Sequence, residues 1–293
     1  MLPPIVIGAH PKRHDREPIE LGLRISRLTR APIDVVGTFS FDTTPQRTAT
    51  DEYGRVLREK VQQAAVGETD RPSGEIRVHV MLGSPARALH EKASEVGAGL
   101  VIVGSSHRGA VGRITLSTTA DRVLQGAPCP VAVAPRGDGD EDAPRQGVAV
   151  AFVDTPGGWS ALRAGAAIAR CAGTSLTAYT VIEQHTPDSD RDRAEAAVER
   201  AIVDIAPDLD AETRILARGG VEALVTESRR HSFLVRGCRS RRPARPPLAF
   251  GLPSKLARHA ACPLIIVPPG REEPLEALFG AHATAEHAES LSG

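Results

Sequence analysis

Short apolar runs alternate with longer amphipathic stretches along most of the chain, and this alternation predicts strands and helices in turn. Ile5 to Gly8 is a β-branched run suited to a buried strand. From Glu17 to Leu28 apolar residues recur at helical spacing, and Ala31-Pro32 stops them. Ile33 to Phe41 and Ile76 to Leu82 read as strands, with a loop from Asp42 to Thr50 and a helix from Asp51 to Val66 between them. Gly83-Ser84-Pro85 turns into a helix over Ala86 to Val96. Leu100 to Gly104 and Val131 to Ala134 are two further strands, separated by a loop rich in small residues and a helix starting near Thr118. Strands separated by helices imply parallel βαβ units and an open sheet covered on both faces.

The pattern then restarts. Val148 to Val153 is a strand, Ser160 to Cys171 a helix, Leu176 to Ile182 a strand, Ser189 to Ile205 a helix, Thr213 to Leu216 a strand and Val221 to Arg230 a helix. Phe233 to Gly237 and Leu264 to Val267 close the series. Gly104 falls on Gly237, Cys129-Pro130 on Cys262-Pro263 and VAVAP on LIIVP, all at one offset, so the chain is two copies of one unit. We expect a first domain over 1–135, a Gly- and Asp-rich linker over 136–146, a second domain over 147–269 and a tail over 270–293. For the tail, a short helix around Pro274 to Phe279 and disorder are both open. The apolar fifth strands would expose sheet edges unless the halves paired through them.

Composition narrows the function classes. The 293 residues carry 36 basic and 36 acidic side chains, so no global field recruits nucleic acid or an anionic membrane. Aromatics are only 3% of the chain, too few for base-stacking platforms. No apolar run approaches a bilayer span and no secretory leader is evident, which points to a cytoplasmic protein. Four cysteines (Cys129, Cys171, Cys238, Cys262) lack CxxC spacing and suit buried thiols. Cys238, among arginines, is the one expected to be reactive.

The candidate chemistry gathers after the fourth strand of each half. In GSSHRGAVGRITLSTT the backbone N–H groups and the hydroxyls of Ser105, Ser106, Thr118 and Thr119 can hold an anion, with Arg108 or Arg113 nearby; a purely structural turn is the competing reading. The second loop, CRSRRPARPP, carries prolines where amides would be needed, and reads as a solvated basic segment. His10, His14 and Asp15 lie at the carboxyl edge of the first strand, where ligands collect in such sheets. Asp154 stands at the matching point of the second half, either to hold a nucleoside or to cap the following helix.

GSSHRGAVGRITLSTTADRVLQGAPCPVAVAP, the GSPARAL turn and LPSKLARHAACPLIIVPPG together resemble the universal stress protein (UspA-like) family, in tandem. The resemblance implies two doubly wound, Rossmann-like α/β domains of the adenine nucleotide alpha hydrolase-like type. Each is a five-stranded parallel sheet of order 3-2-1-4-5, and the two pair through their last strands. It further implies a stress-response or signalling module that binds ATP through the pattern G-x-x-G-x9-G-(S/T), with an acid closing strand one. This chain departs from that pattern: Gly104 matches the first Gly, but His107 and Ser117 replace the second and third, and His10 replaces the acid. In the second half Asp154 keeps the acid, while Ser240 and Phe250 replace glycines. The implied nucleotide-site residues are Gly8, His10, Thr38, Gly104, Ser105, His107, Ser117, Thr118 and Thr119, with Asp154 a weak second-half contributor. No catalytic or metal-ligating set is assigned. Three functions stay open: an ATP-binding module acting mainly through its first half, a partner-binding module without nucleotide, and a slow ATP-hydrolysing enzyme. Expected partners are an adenine nucleotide, the other half of the same chain and a second copy of it.

Overall fold

The computed structural model describes residues 2–10, 16–39, 47–66, 74–106, 111–137, 146–183, 185–217, 219–238, 259–268 and 270–280 of the chain. The first half runs β1 (Ile5–Gly8), α1 (Glu17–Thr29), β2 (Ile33–Phe39), α2 (Arg47–Val66), β3 (Ile76–Leu82), α3 (Pro85–Val96), β4 (Leu100–Gly104), α4 (Thr118–Leu124) and β5 (Val131–Ala134). The second repeats it as β6 (Val148–Phe152), α5 (Pro156–Ala172), β7 (Leu176–Val181), α6 (Asp188–Ile205), β8 (Ala211–Leu216), α7 (Gly220–Glu227), β9 (Phe233–Gly237) and β10 (Leu264–Val267). A last helix, α8 (Glu273–Gly280), follows.

The strands form one sheet in the order β3-β2-β1-β4-β5-β10-β9-β6-β7-β8. Each half is therefore a doubly wound parallel sheet of order 3-2-1-4-5, and the two orders are mirror images about the seam. At the seam β5 and β10 run antiparallel. Their register is self-complementary: Val131 faces Ile266, Val133 faces Leu264, and Ala132 faces Ile265, its own counterpart in the repeat. A register of that kind is the mark of a two-fold contact between like surfaces. Among the described strands, pairing there leaves β3 and β8 as the sheet edges.

Both faces are covered, which explains why β1, β4, β5, β6 and β10 are apolar without alternation. On one face α1, α2, α5, α6 and α8 enclose a core containing Ile7, Ile102, Val150, Ile168 and Phe279. On the other, α3, α4 and α7 cover Val6, Val101, Val133, Leu234 and Ile266. Each core runs across the seam, because the alternate residues of a continuous sheet share one face. A buried acid interrupts the apolar pattern at Asp34, 1% exposed, which accepts a hydrogen bond from Arg77 at 3.0 Å and sits 2.6 Å from His79 across the β2–β3 ladder. Those partners satisfy a carboxylate that would otherwise be costly to bury.

Helix starts differ from the periodicity in instructive ways. α5 begins at Pro156 and not at Ser160, because Thr155 caps it, its Oγ1 accepting the Gly158 N–H at 3.2 Å, with Pro156 at the first helical position. Asp154 is therefore not the cap. α2 begins at Arg47 and not at Asp51, through polar residues that carry no apolar stripe. The stretch expected as one helix over Val221 to Arg230 divides into α7 and a 3₁₀ turn at Ser228–Arg230. The strand expected to reach Phe41 is described to Phe39. In the tail, the helical alternative is the one found: Leu275, Leu278 and Phe279 of α8 are fully buried in the core on the α1 and α5 face.

Candidate functional site

In a 3-2-1-4-5 sheet the chain leaves β1 toward one side and β4 toward the other, which opens a crevice at their carboxyl ends. In the first half a small cleft of about 90 Å³ lies there. Its floor is Gly8 and Ala9 after β1, Val36 and Thr38 on β2, and Val103 and Gly104 on β4; Pro18, Pro85 and Leu89 form apolar walls. Ser105, Ser117 and Thr119 add hydroxyls to the lining, and His10 belongs to it as well.

Local bonds place these groups. Ser105 N–H and Oγ both donate to the carbonyl of Ala134, at 3.1 and 2.8 Å, so the residue after β4 is tied to the end of β5. The Ser106 N–H donates to Thr115 O at 2.6 Å, and the Thr115 N–H reaches Ser105 Oγ at 3.4 Å. These bonds bring the outgoing and returning legs of the loop together. Ser117 caps α4, its Oγ accepting from Ala120 N–H at 3.1 Å. Thr119 faces the cleft; Thr118 is exposed and is not among the lining residues. His107, Arg108, His14 and Asp15 lie outside the described residues.

The structure adds groups that pattern reading had missed. Lys60 of α2 donates to the backbone carbonyl of His10 at 2.7 Å, bringing a cation beside that lining residue from fifty residues away in sequence. Leu89 and Pro18 close the walls. Pro85 and Leu89 belong to the GSPARAL turn, which carries that much of the signal; nothing local marks Lys60. Added bulk at Gly104 would meet only Pro18, at 3.5 Å, so the end of β4 opens onto the cleft and not onto packed backbone.

The second half is built differently at the same place. β1 and α1 are separated by the eight residues 9–16, whereas β6 and α5 are separated by three, Val153 to Thr155. The shorter turn draws the start of α5 onto the strand tips, where a Cβ on Gly157 would lie 2.3 Å from Cys238 O. Asp154 Oδ1 accepts the indole N–H of Trp159 at 2.9 Å, and the Trp159 ring packs edge-on against Phe152. The carboxylate is thus held by its own helix. The Arg- and Pro-rich segment over 239–258 lies outside the described residues.

The thiols do not suggest chemistry. Burial pushes the Cys129 thiol up to about 12. Burial also raises Cys238, outweighing the opposing pull of Arg236, which corrects the expectation of a reactive thiolate there. Among the described residues no three His, Cys, Asp or Glu side chains are grouped to hold a metal ion, and no helix is long and apolar enough to cross a membrane.

The fold is one sheet of two doubly wound α/β halves, with a small cleft at the switch point of the first. Residues 1–135 match the model of the universal stress protein family. The first half of the chain belongs to that family, and the second half repeats its fold. A protein of Pseudomonas aeruginosa UCBPP-PA14 assigned to the universal stress proteins superposes with a TM-score of 0.62 at 14% identity, over 95% of this chain and 97% of its own. A universal stress protein from Archaeoglobus fulgidus DSM 4304 gives 0.61 at 15% identity, over 90% and 96%. A universal stress protein in complex with cAMP is 18% identical over 46% of this chain and 98% of its own, with a TM-score of 0.36. No curated protein matches the chain.

Proposed function

We propose that this chain is a tandem universal stress protein whose first half binds an adenine nucleotide, ATP foremost, and whose second half serves as a non-binding scaffold. The observation that carries the reading is the convergence of Gly8, His10, Thr38, Gly104, Ser105, Ser117 and Thr119 on one cleft at the switch point of the family-matched half. The lining suits the two ends of such a ligand. Val36, Val103, Leu89 and Pro85 offer an apolar slot for a flat base, while Ser105, Ser117 and Thr119 offer hydroxyls to phosphate oxygens. His10, in place of an acid, and the neighbouring Lys60 favour an anionic ligand over a cationic one.

On this reading residues 1–135 and 147–269 are the two domains, 136–146 joins them, and the module acts in the cytoplasm by binding and signalling. The β5–β10 seam is its permanent internal pairing, and a homodimer would have to use another surface. The reading is tested by calorimetric titration of the full chain with ATP, together with identification of any nucleotide released on denaturation. Binding at one site per chain supports it. No heat at millimolar ATP and no released nucleotide would favour the partner-binding alternative.

A further inference from the structure

The loop that forms one side of the first-half cleft is held in place by the second half. Besides the Thr115 bonds to Ser105 and Ser106, its returning leg is bonded within its own half by Gly112 N–H to Arg136 O at 2.6 Å and Arg136 N–H to Arg113 O at 3.3 Å. The next residue crosses the seam: the Ile114 N–H donates to Ala260 O at 2.9 Å. Ile114, Ala260 and Ser228 are each fully buried. Ala261, beside the acceptor, donates its own N–H to Ser228 Oγ at 3.0 Å, and that hydroxyl donates in turn to Val225 O at 2.7 Å at the end of α7. Ser228 therefore uses its donor on one element and its acceptor on another, and locks the segment before β10 against α7.

We infer that Ser228 is a positioning residue for the first-half cleft, acting through Ala261, Ala260, Ile114 and Thr115 on Ser105. Three of the links are hydrogen bonds of buried or half-buried groups, Ala261 to Ser228, Ile114 to Ala260 and Thr115 to Ser105, and the other two are peptide bonds between neighbours; water cannot replace a partner in the buried bonds at low cost. The last link is local: Thr115 meets both Ser105 Oγ and Ser106 N–H, and Ser105 lines the cleft. The role assigned to the cleft rests on the nucleotide reading; the mechanical coupling does not. Coupling of this kind is reciprocal, so a ligand seated against Ser105 protects the segment around Ala260 to the same extent.

The test is hydrogen exchange by mass spectrometry on the full chain, comparing wild type, Ser228→Ala and Val198→Ala. Val198→Ala opens a buried site on α6, on the opposite face of the sheet, and serves as a control for general loss of stability. Removing the Ser228 hydroxyl leaves the buried Ala261 N–H unpaired, so exchange at 112–117 should rise roughly fivefold to tenfold in Ser228→Ala and stay at the wild-type rate in Val198→Ala. ATP affinity should fall by a similar factor in Ser228→Ala alone, and ATP should slow exchange at 259–262 in wild type. Faster exchange confined to 259–262, with 112–117 unchanged, would overturn the inference. If wild type binds no ATP, the nucleotide reading fails and the exchange comparison alone decides the coupling.

Discussion

Gly157 and Gly237 are in backbone contact: a Cβ built on Gly237 would sit 1.8 Å from the carbonyl oxygen of Gly157. The contact sets the start of α5 against the tip of β9, whereas the matching Gly104 at the tip of β4 lines the cleft. We predict that Gly237→Ala destabilises the protein by about 2 kcal/mol or more, since two backbone segments must separate to admit the methyl group. The corresponding change in the first half, Gly104→Ala, meets only the Pro18 ring at 3.5 Å and should cost under about 1 kcal/mol. Urea denaturation of the two variants checks the contrast, and equal costs would contradict it.

The tail helix is an integral part of the fold. Leu275, Leu278 and Phe279 are buried to within 1% exposure, against α5 and within the core on the α1 and α5 face. Phe279→Ala should therefore cost about 3–5 kcal/mol, the range for emptying a buried aromatic site. A melting temperature within two degrees or so of wild type would show that α8 contributes little.

A buried polar cluster sets a pH dependence. The Tyr179 hydroxyl lies 2.9 Å from His231 Nε2 and 3.3 Å from Glu227, with Arg214 and Arg230 ion-paired to the same carboxylate. Burial pushes the imidazole below its ordinary value of 6.5, with Glu227 pulling the other way. The unfolded chain then takes up the proton first as pH falls. Stability is full above about pH 6.5 and is lost below it, down to the folded pKa. The urea midpoint should drop between pH 7 and pH 5.5, and the drop should flatten in His231→Asn. Parallel slopes for the two proteins would assign the loss to other groups.

Cys129 and Cys238 both carry thiols raised by burial. Ellman's reagent at pH 8 should label them more slowly than a free cysteine, at rates that rise together when the fold is loosened by urea. Prompt labelling of Cys238 in the native protein would restore the thiolate reading.

The sequence made the strand series, the repeat and the doubly wound order legible because buried parallel strands are uniformly apolar and carry their signal locally. Asp34 escaped notice because its partners, Arg77 and His79, stand on the next strand, and only the ladder brings them together. The start of α5 was misread because the cap, Thr155, precedes the apolar stripe by several residues. At the site, glycine and hydroxyl positions were readable from the loop, but Lys60 reaches His10 across a helix packing that no local pattern encodes. The close approach of α5 to the tip of β9 has a sequence trace, the short Val153 to Thr155 turn, whose consequence depends on where α5 then lies.

The central claim is that ligand binding belongs to the first half. Calorimetry of the full chain with ATP, for wild type, Gly104→Val and Asp154→Ala, tests it most directly. A branched side chain at Gly104 enters the cleft, whereas Asp154 is occupied by the Trp159 indole in the other half. The account predicts that Gly104→Val loses measurable binding, a weakening of about a hundredfold or more, and that Asp154→Ala binds within about twofold of wild type. Loss of binding in Asp154→Ala with Gly104→Val unaffected would contradict it and place the site in the second half.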